Sequence, residues 1–224
     1  EDLDLSHLEL QNGLMSHQNY RNWCTLMEAE LAVLQDIGFT GIDRKKFFGK
    51  SIYANNTTDS IATSWTSSTD RAIGLHIYGS NNDVTLNSGA NITASGDYSM
   101  GVRVDGSQND LTIASGNAIT VSGEEGNGIV VAYGKNHNLS IASGASVTAM
   151  GDGGIGARFD FGSNELGDRT EYRGSYIRGE YGEEQGEFVN LEFTKKDESN
   201  NVVDTFNING ALVNNFNVNG TLSG

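Results

Sequence analysis

The feature that most restricts this chain is a glycine that returns at nearly constant intervals. Gly74, Gly101, Gly128 and Gly156 are separated by 27, 27 and 28 residues. Gly79, Gly106, Gly134 and Gly162 keep step with them, as do Gly89, Gly116 and Gly144. A period of about 20–50 residues marks a solenoid, a propeller or an array. Each period holds three short runs that alternate apolar and polar residues, with Gly/Asn/Ser turns between them. The first run supplies Leu75/Ile77, Val102/Val104, Ile129/Val131 and Ala157/Phe159. The second supplies Val84/Leu86, Leu111/Ile113 and Leu139/Ile141, and the third Ile92/Ala94, Ile119/Val121 and Val147/Ala149. Spacing of two buries one face of a strand, and recurrence at the period stacks like on like. A propeller blade needs about 40–45 residues and four strands, and antiparallel hairpins favour tight two-residue turns. The expected fold is therefore mainly β: a right-handed parallel β-helix with three strands and about 27 residues per coil. A short N-terminal α-helical segment and one extruded hairpin or loop complete it.

Composition agrees with this reading and excludes several functions. The chain has 29 glycines and no proline, which suits many short turns between strands that all need their ladder N–H groups. Its formal charge is 14 − 29 = −15. Such a balance repels phosphate backbones and anionic lipid surfaces, so neither nucleic acid nor membrane insertion is expected. It also keeps an elongated β protein soluble, as a monomer or with weak self-association. The single cysteine, Cys24, cannot form an intrachain disulfide and reads as a buried, inert thiol. No basic leader and no apolar run of about 18 residues is present. The chain thus reads as a segment whose targeting and anchoring parts lie elsewhere. The closing coil pattern, with no polar cap before Gly224, suggests that the natural protein continues.

After Gly162 the register breaks, and an insertion is expected over about 168–201. It is rich in charge and tyrosine, and its later half offers two hairpin arms, Glu187–Thr194 and Val202–Ile208, around a Lys195–Asn201 turn. The runs Phe206-Asn207-Ile208 and Phe216-Asn217-Val218 read as further coils. The division is thus residues 1–50 as an N-terminal segment and 51–224 as the β-helix. In the N-terminal segment, Thr25 and Glu28 fit a capping box ahead of a helix with Leu26, Ala29, Val33, Leu34 and Ile37 on its apolar face. Gly38 stops that helix as the C′ residue. Glu28 and Glu30 are expected on its solvated side, and the 42–53 stretch to supply the first strand.

The stretch from His7 to Tyr53 (HLELQNGLMSHQNYRNWCTLMEAELAVLQDIGFTGIDRKKFFGKSIY) resembles the distal part of a metzincin-like zinc protease unit. Leu14-Met15 resembles its Met-turn and MEAELAVLQDIGF the helix that follows. The coil repeats, with GSNND, NSG and ASG turns and the closing GALVNNFNVNGTLSG, are similar to Gram-negative autotransporter passengers. In some of these such a protease unit precedes the β-helix. The resemblance implies a secreted protein on the exterior of the bacterial outer membrane, acting as a β-helical stalk or adhesin-like scaffold for a host or bacterial surface protein or glycan. One alternative is the tail of a zinc protease whose HExxH helix lies outside this chain. The metzincin site places three imidazoles on one zinc with a glutamate as general base. Of these ligands only His7, eight residues before Met15, has a counterpart, and Glu1 and Asp4 stand where the second ligand and the glycine belong. His17 is assigned to packing. No HExxH and no serine triad occur, so no catalytic residue is nominated and no cofactor is expected for these residues, zinc belonging to the full-length parent.

Three further constellations stand apart from the resemblance. His76, Arg103 and Arg158, with Val130, form a column at the outward position of the first run. They could read anionic glycans or carboxylates, or could simply lie on a solvated face. Asp83, Asp110 and Asn138 share a turn in successive coils, where stacked carboxylates could hold calcium. The chain lacks the nonapeptide of calcium-roll repeats. A glycan-active β-helix enzyme would need such a cluster beside Arg103 or Arg158. Tyr172, Arg173, Tyr176, Arg178 and Tyr181 in the insertion have the residue types favoured at interfaces.

Overall fold

The computed structural model describes residues 13–15, 25–132, 136–159, 164–166, 169–171, 191–196, 199, 201–208 and 213–224. The chain is a parallel β-solenoid. Its first coil holds β1 (Phe48–Tyr53), β2 (Thr58–Ile61) and β3 (Trp65–Ser67). The second holds β4 (Ile73–Tyr78), β5 (Asp83–Leu86) and β6 (Ile92–Ala94). The third holds β7 (Met100–Val104), β8 (Asp110–Ile113) and β9 (Ala118–Val121), and the fourth β10 (Asn127–Val131), β11 (His137–Ile141) and β12 (Ser146–Ala149). β13 (Ile155–Phe159) opens the fifth coil. Two antiparallel pairs follow, β14 (Asn164–Leu166) with β15 (Arg169–Glu171) and β16 (Leu191–Lys196) with β17 (Val202–Ile208). β18 (Val213–Val218) and β19 (Thr221–Ser223) then close that coil.

Each face of the coil is one five-stranded parallel sheet. The orders are β1-β4-β7-β10-β13, β2-β5-β8-β11-β18 and β3-β6-β9-β12-β19. Register stacks the inward residues as the period requires: Leu75 on Val102 on Ile129, Leu86 on Ile113 on Ile141, and Ile92 on Ile119 on Val147. These side chains are essentially inaccessible to water, and each contributes about 1.5–3 kcal/mol of apolar burial. The glycine that keeps the period does so for steric reasons. A Cβ on Gly101 would stand 2.3 Å from Ile119 Cγ2 and 2.6 Å from the Gly128 carbonyl oxygen, so no side chain fits where the first sheet meets the third.

The first coil departs from the pattern. Lys50, Asp59 and Trp65 take the inward rungs held by Leu75, Val84 and Ile92 one coil above. Lys50 Nζ lies 3.2 Å from Asp59 Oδ2, and Trp65 Nε1 donates to the Lys45 carbonyl at 2.8 Å. The hydrocarbon core ends there against a polar, aromatic rung.

Ahead of the solenoid lie α1 (Glu28–Asp36) and α2 (Arg44–Phe47). Gly38 ends α1 as expected, with φ +109°. The Gly38 N–H donates to the Gln35 carbonyl and the Phe39 N–H to the Leu34 carbonyl, both at 3.0 Å, which is a Schellman motif. The other expectations for this helix need correction. Its N-cap is Met27, and the residue reaching back is Glu30, whose Oε2 accepts the Met27 N–H at 2.7 Å. Glu30 is fully buried instead of solvated, and Oε1 also accepts the Met15 N–H at 2.6 Å. Of the expected apolar face, Leu26 and Leu34 do pack inward, but the buried positions are Met27 and Leu31, with Leu31 packed on Phe48 and Ile73 of the solenoid. Val33 and Ile37 point outward.

In sequence the insertion falls between β13 and β18, both of which belong to the stacked sheets. Its expected hairpin forms, with Leu191 opposite Ile208 and Thr194 opposite Thr205, but Lys195 and Lys196, expected in the turn, extend the first arm, and residues 187–190 lie outside the described residues. The reading of Phe206-Asn207-Ile208 as a coil is corrected: this run is one arm of that antiparallel hairpin, and the coil resumes at Val213. The coil reading of Phe216-Asn217-Val218 holds, because Phe216 stacks on Leu139 and Val218 on Ile141.

Candidate functional site

The chemistry of the described residues gathers on the outer face of the first sheet. Successive outward positions align Ser51, His76, Arg103, Val130 and Arg158, one per coil. Simple alternation would leave such a column in water. Instead His76, Arg103 and Val130 are inaccessible to solvent, which overturns the expectation of a solvated outer face. Tyr53 and Tyr78 flank the column, their rings edge-on to His76 at centroid distances of 5.8 and 6.0 Å. The first residue of α1 closes over it, with the Glu28 N–H donating to Tyr53 Oη at 2.9 Å. Burial pushes the Tyr53 phenol above its ordinary pKa, only partly offset by the backbone donors at the start of α1.

Within this layer sits an ionic cluster. Asp105, just beyond β7, accepts from His76 Nε2 at 2.8 Å and from Arg103 Nε at 2.7 Å, both on Oδ2. Arg103 Nη2 adds a 3.3 Å bond to Oδ1. All three groups are buried. Burial alone would raise the Asp105 pKa, but the Arg103 charge and the two donors hold it well below the usual carboxylate range. For His76 burial dominates and lowers the pKa, although Asp105 pulls the other way. A neutral His76 beside an ionised Arg103–Asp105 pair is the resulting state. A buried pair of this kind survives desolvation only because its geometry and hydrogen bonds are good.

Ser51, His76 and Asp105 follow one another across the sheet in the order of a nucleophile, a base and a carboxylate. The geometry does not make them a catalytic relay, because Ser51 Oγ and His76 Nδ1 form no hydrogen bond with each other and the imidazole is sealed from solvent. The cluster fixes structure by joining β4 to the residue that follows β7.

Arg158 lies on the same column in β13 and is half-buried. Sequence reasoning missed Asp105, for which the Arg103-Val104-Asp105 spacing was the available signal, since it places a cation and an anion on one side of a strand. His7, His17, Cys24, Tyr172, Arg173, Tyr176, Arg178 and Tyr181 lie outside the described residues. Leu14 and Met15 form a turn, and Gly13 bridges Thr25.

The acidic turn column is real but is continued by amides. Asp83 pairs with Asp110, and Asn138 Nδ2 donates to Asp110 Oδ1 at 2.6 Å. Asn215 Nδ2 then donates to Asn138 Oδ1 at 2.9 Å. Among the described residues no group of three or more His, Cys, Asp or Glu side chains is placed to hold a metal ion. A cavity of about 330 Å³ opens at the first coil, floored by Leu75, Leu86 and Ile92. Its Lys50 and Asp59 already satisfy each other.

The fold and this site define a class, the parallel β-solenoid with one ionic, buried outer face. Comparison with protein-family models, curated proteins and solved structures finds no match to the chain.

Proposed function

We propose that this chain is a segment of a secreted bacterial surface protein of the autotransporter passenger kind, serving as a rigid β-helical stalk that displays an interaction loop. One observation carries this reading. Residues 160–212 fall in sequence between β13 and β18, yet β18 and β19 pair in parallel with β11 and β12 of the coil below, with one β-bulge at His137/Asn138. The stack therefore bears a long insertion without losing its ladders, as a display scaffold must. The insertion contains Tyr172, Arg173, Tyr176, Arg178 and Tyr181, residue types that dominate binding energy at interfaces. Its partner would be a host or bacterial surface protein or glycan.

The test is a variant in which 160–212 is replaced by a short Gly/Asn turn. It should keep the β-rich circular dichroism and cooperative melting of the parent while losing binding to epithelial cells and to immobilised glycans. Retention of full binding by the shortened chain, or its failure to fold as a solenoid, would refute the display reading.

A further inference from the structure

Two buried imidazoles lie near the corner where the chain passes from the first sheet to the second. His137 occupies the top rung of a ladder of turn side chains. The Thr57 N–H donates to Asn82 Oδ1 at 3.0 Å, the Asn82 N–H to Asn109 Oδ1 at 3.0 Å, and the Asn109 N–H to His137 Nδ1 at 3.2 Å. An Nδ1 that accepts an N–H carries no proton, so His137 is the Nε2–H tautomer. His76 reaches the same tautomer by another route. Its Nε2 faces Asp105, and its buried Nδ1 has no hydrogen-bond partner among the described residues. The two sites are linked, because Asn109 Nδ2 donates to the Asp105 carbonyl at 2.9 Å and to the Gly79 carbonyl at 2.8 Å.

We propose that this corner is an acid-sensitive latch, in which protonation of His137 and His76 at Nδ1 unlocks the turn ladder of the middle coils. A proton on His137 removes the acceptor that the buried Asn109 N–H needs. A proton on His76 places a second cation beside Arg103, whose charge already opposes protonation there. The groups facing His76 are Arg103 and Asp105 from the third coil, Tyr53 from β1, Tyr78 on its own strand and Glu28 from α1. Among the described residues, His137 faces Asn109 below and stacks in register with Val213 of β18, with Asp110 and Asn138 on the adjoining rung.

The sign follows from the ordinary imidazole pKa near 6.5. Histidines held neutral in the fold leave its stability intact above about pH 6.5 and withdraw it as the pH falls below that value. Burial, which holds His76 below its ordinary pKa, supports this direction. The consequence is a stalk that is stiff at neutral pH and loosens in mildly acidic surroundings.

The experiment compares denaturant unfolding of the full chain at pH 7.5, 6.5 and 5.5 with that of His137→Asn and His76→Gln. Asparagine is already the residue at the two rungs below, so His137→Asn should keep the ladder. The unfolding equilibrium constant of the parent should rise by up to about tenfold per pH unit for each histidine, and each variant should lose its share. Imidazole resonances of the unaltered chain give a second readout that does not depend on the variants folding. Both rings should stay neutral at pH 5.5 while the fold persists. Either ring titrating near 6.5 within an intact fold, or an undiminished pH dependence in His137→Asn, would overturn the latch.

Discussion

The first sheet and the second are assembled from strands with the same period, the same parallel register and the same alternation, yet they occupy different environments. In β10 every residue is buried, whereas in β8 burial alternates with partial exposure, Leu111 and Ile113 inside and Thr112 outside. The inner faces are equivalent, and the difference lies wholly in what covers the outer one. A sheet covered on both faces can carry charge on its outer column only as a satisfied network, and His76, Arg103 and Asp105 supply one. A half-solvated sheet accepts Thr85, Thr112 and Ser140 at matching places with no such demand.

Substitutions can break or sharpen that contrast. The largest effect is expected from Arg103→Ala, which strands Asp105 as a buried charge and should cost about 3–5 kcal/mol, read from denaturant unfolding. Next come Ile113→Ala and Ile129→Ala, one inner-face residue from each sheet. Each should cost about 2–5 kcal/mol, and a large disparity between them would show that the inner faces are not equivalent. A smaller effect concerns acid. Asp105 has a depressed pKa in the fold, so its stabilisation is present above about pH 4 and lost as the pH falls below that value. Asp105→Asn should therefore lose less stability than the parent between pH 5 and 3.5, measured by thermal melts. The smallest effect is Thr112→Ala, expected within about 0.5 kcal/mol of the parent. A loss there comparable with that of Arg103→Ala would erase the distinction between the sheets.

The ladders were legible because glycine spacing and two-residue alternation record local sterics and inner packing, both of which repeat. The cover over the first sheet was not legible, since Ser51, His76 and Arg103 alternate just as residues on a wet face would. At the Tyr53 end of the column the first residue of α1, which lies outside the repeat, reaches over the sheet. The same limit explains the helix. Glu30, and not Glu28, reaches back because its carboxylate also holds the Met15 N–H, a contact fifteen residues away that no local pattern records. Phe206-Asn207-Ile208 has the alternation of a coil, and only its pairing with Leu191 and Phe193 reveals a hairpin.

The rung formed by Lys50, Asp59 and Trp65 has a further consequence for assembly. Among the described residues β1, β2 and β3 are edge strands, and an exposed edge invites another chain to add itself. Any strand seated beneath them would have to bury a charged pair that now reaches water, at a cost of several kcal/mol per ion. In polymer terms the first coil is a chain terminator, holding growth at that end to zero while the ladders above it run on.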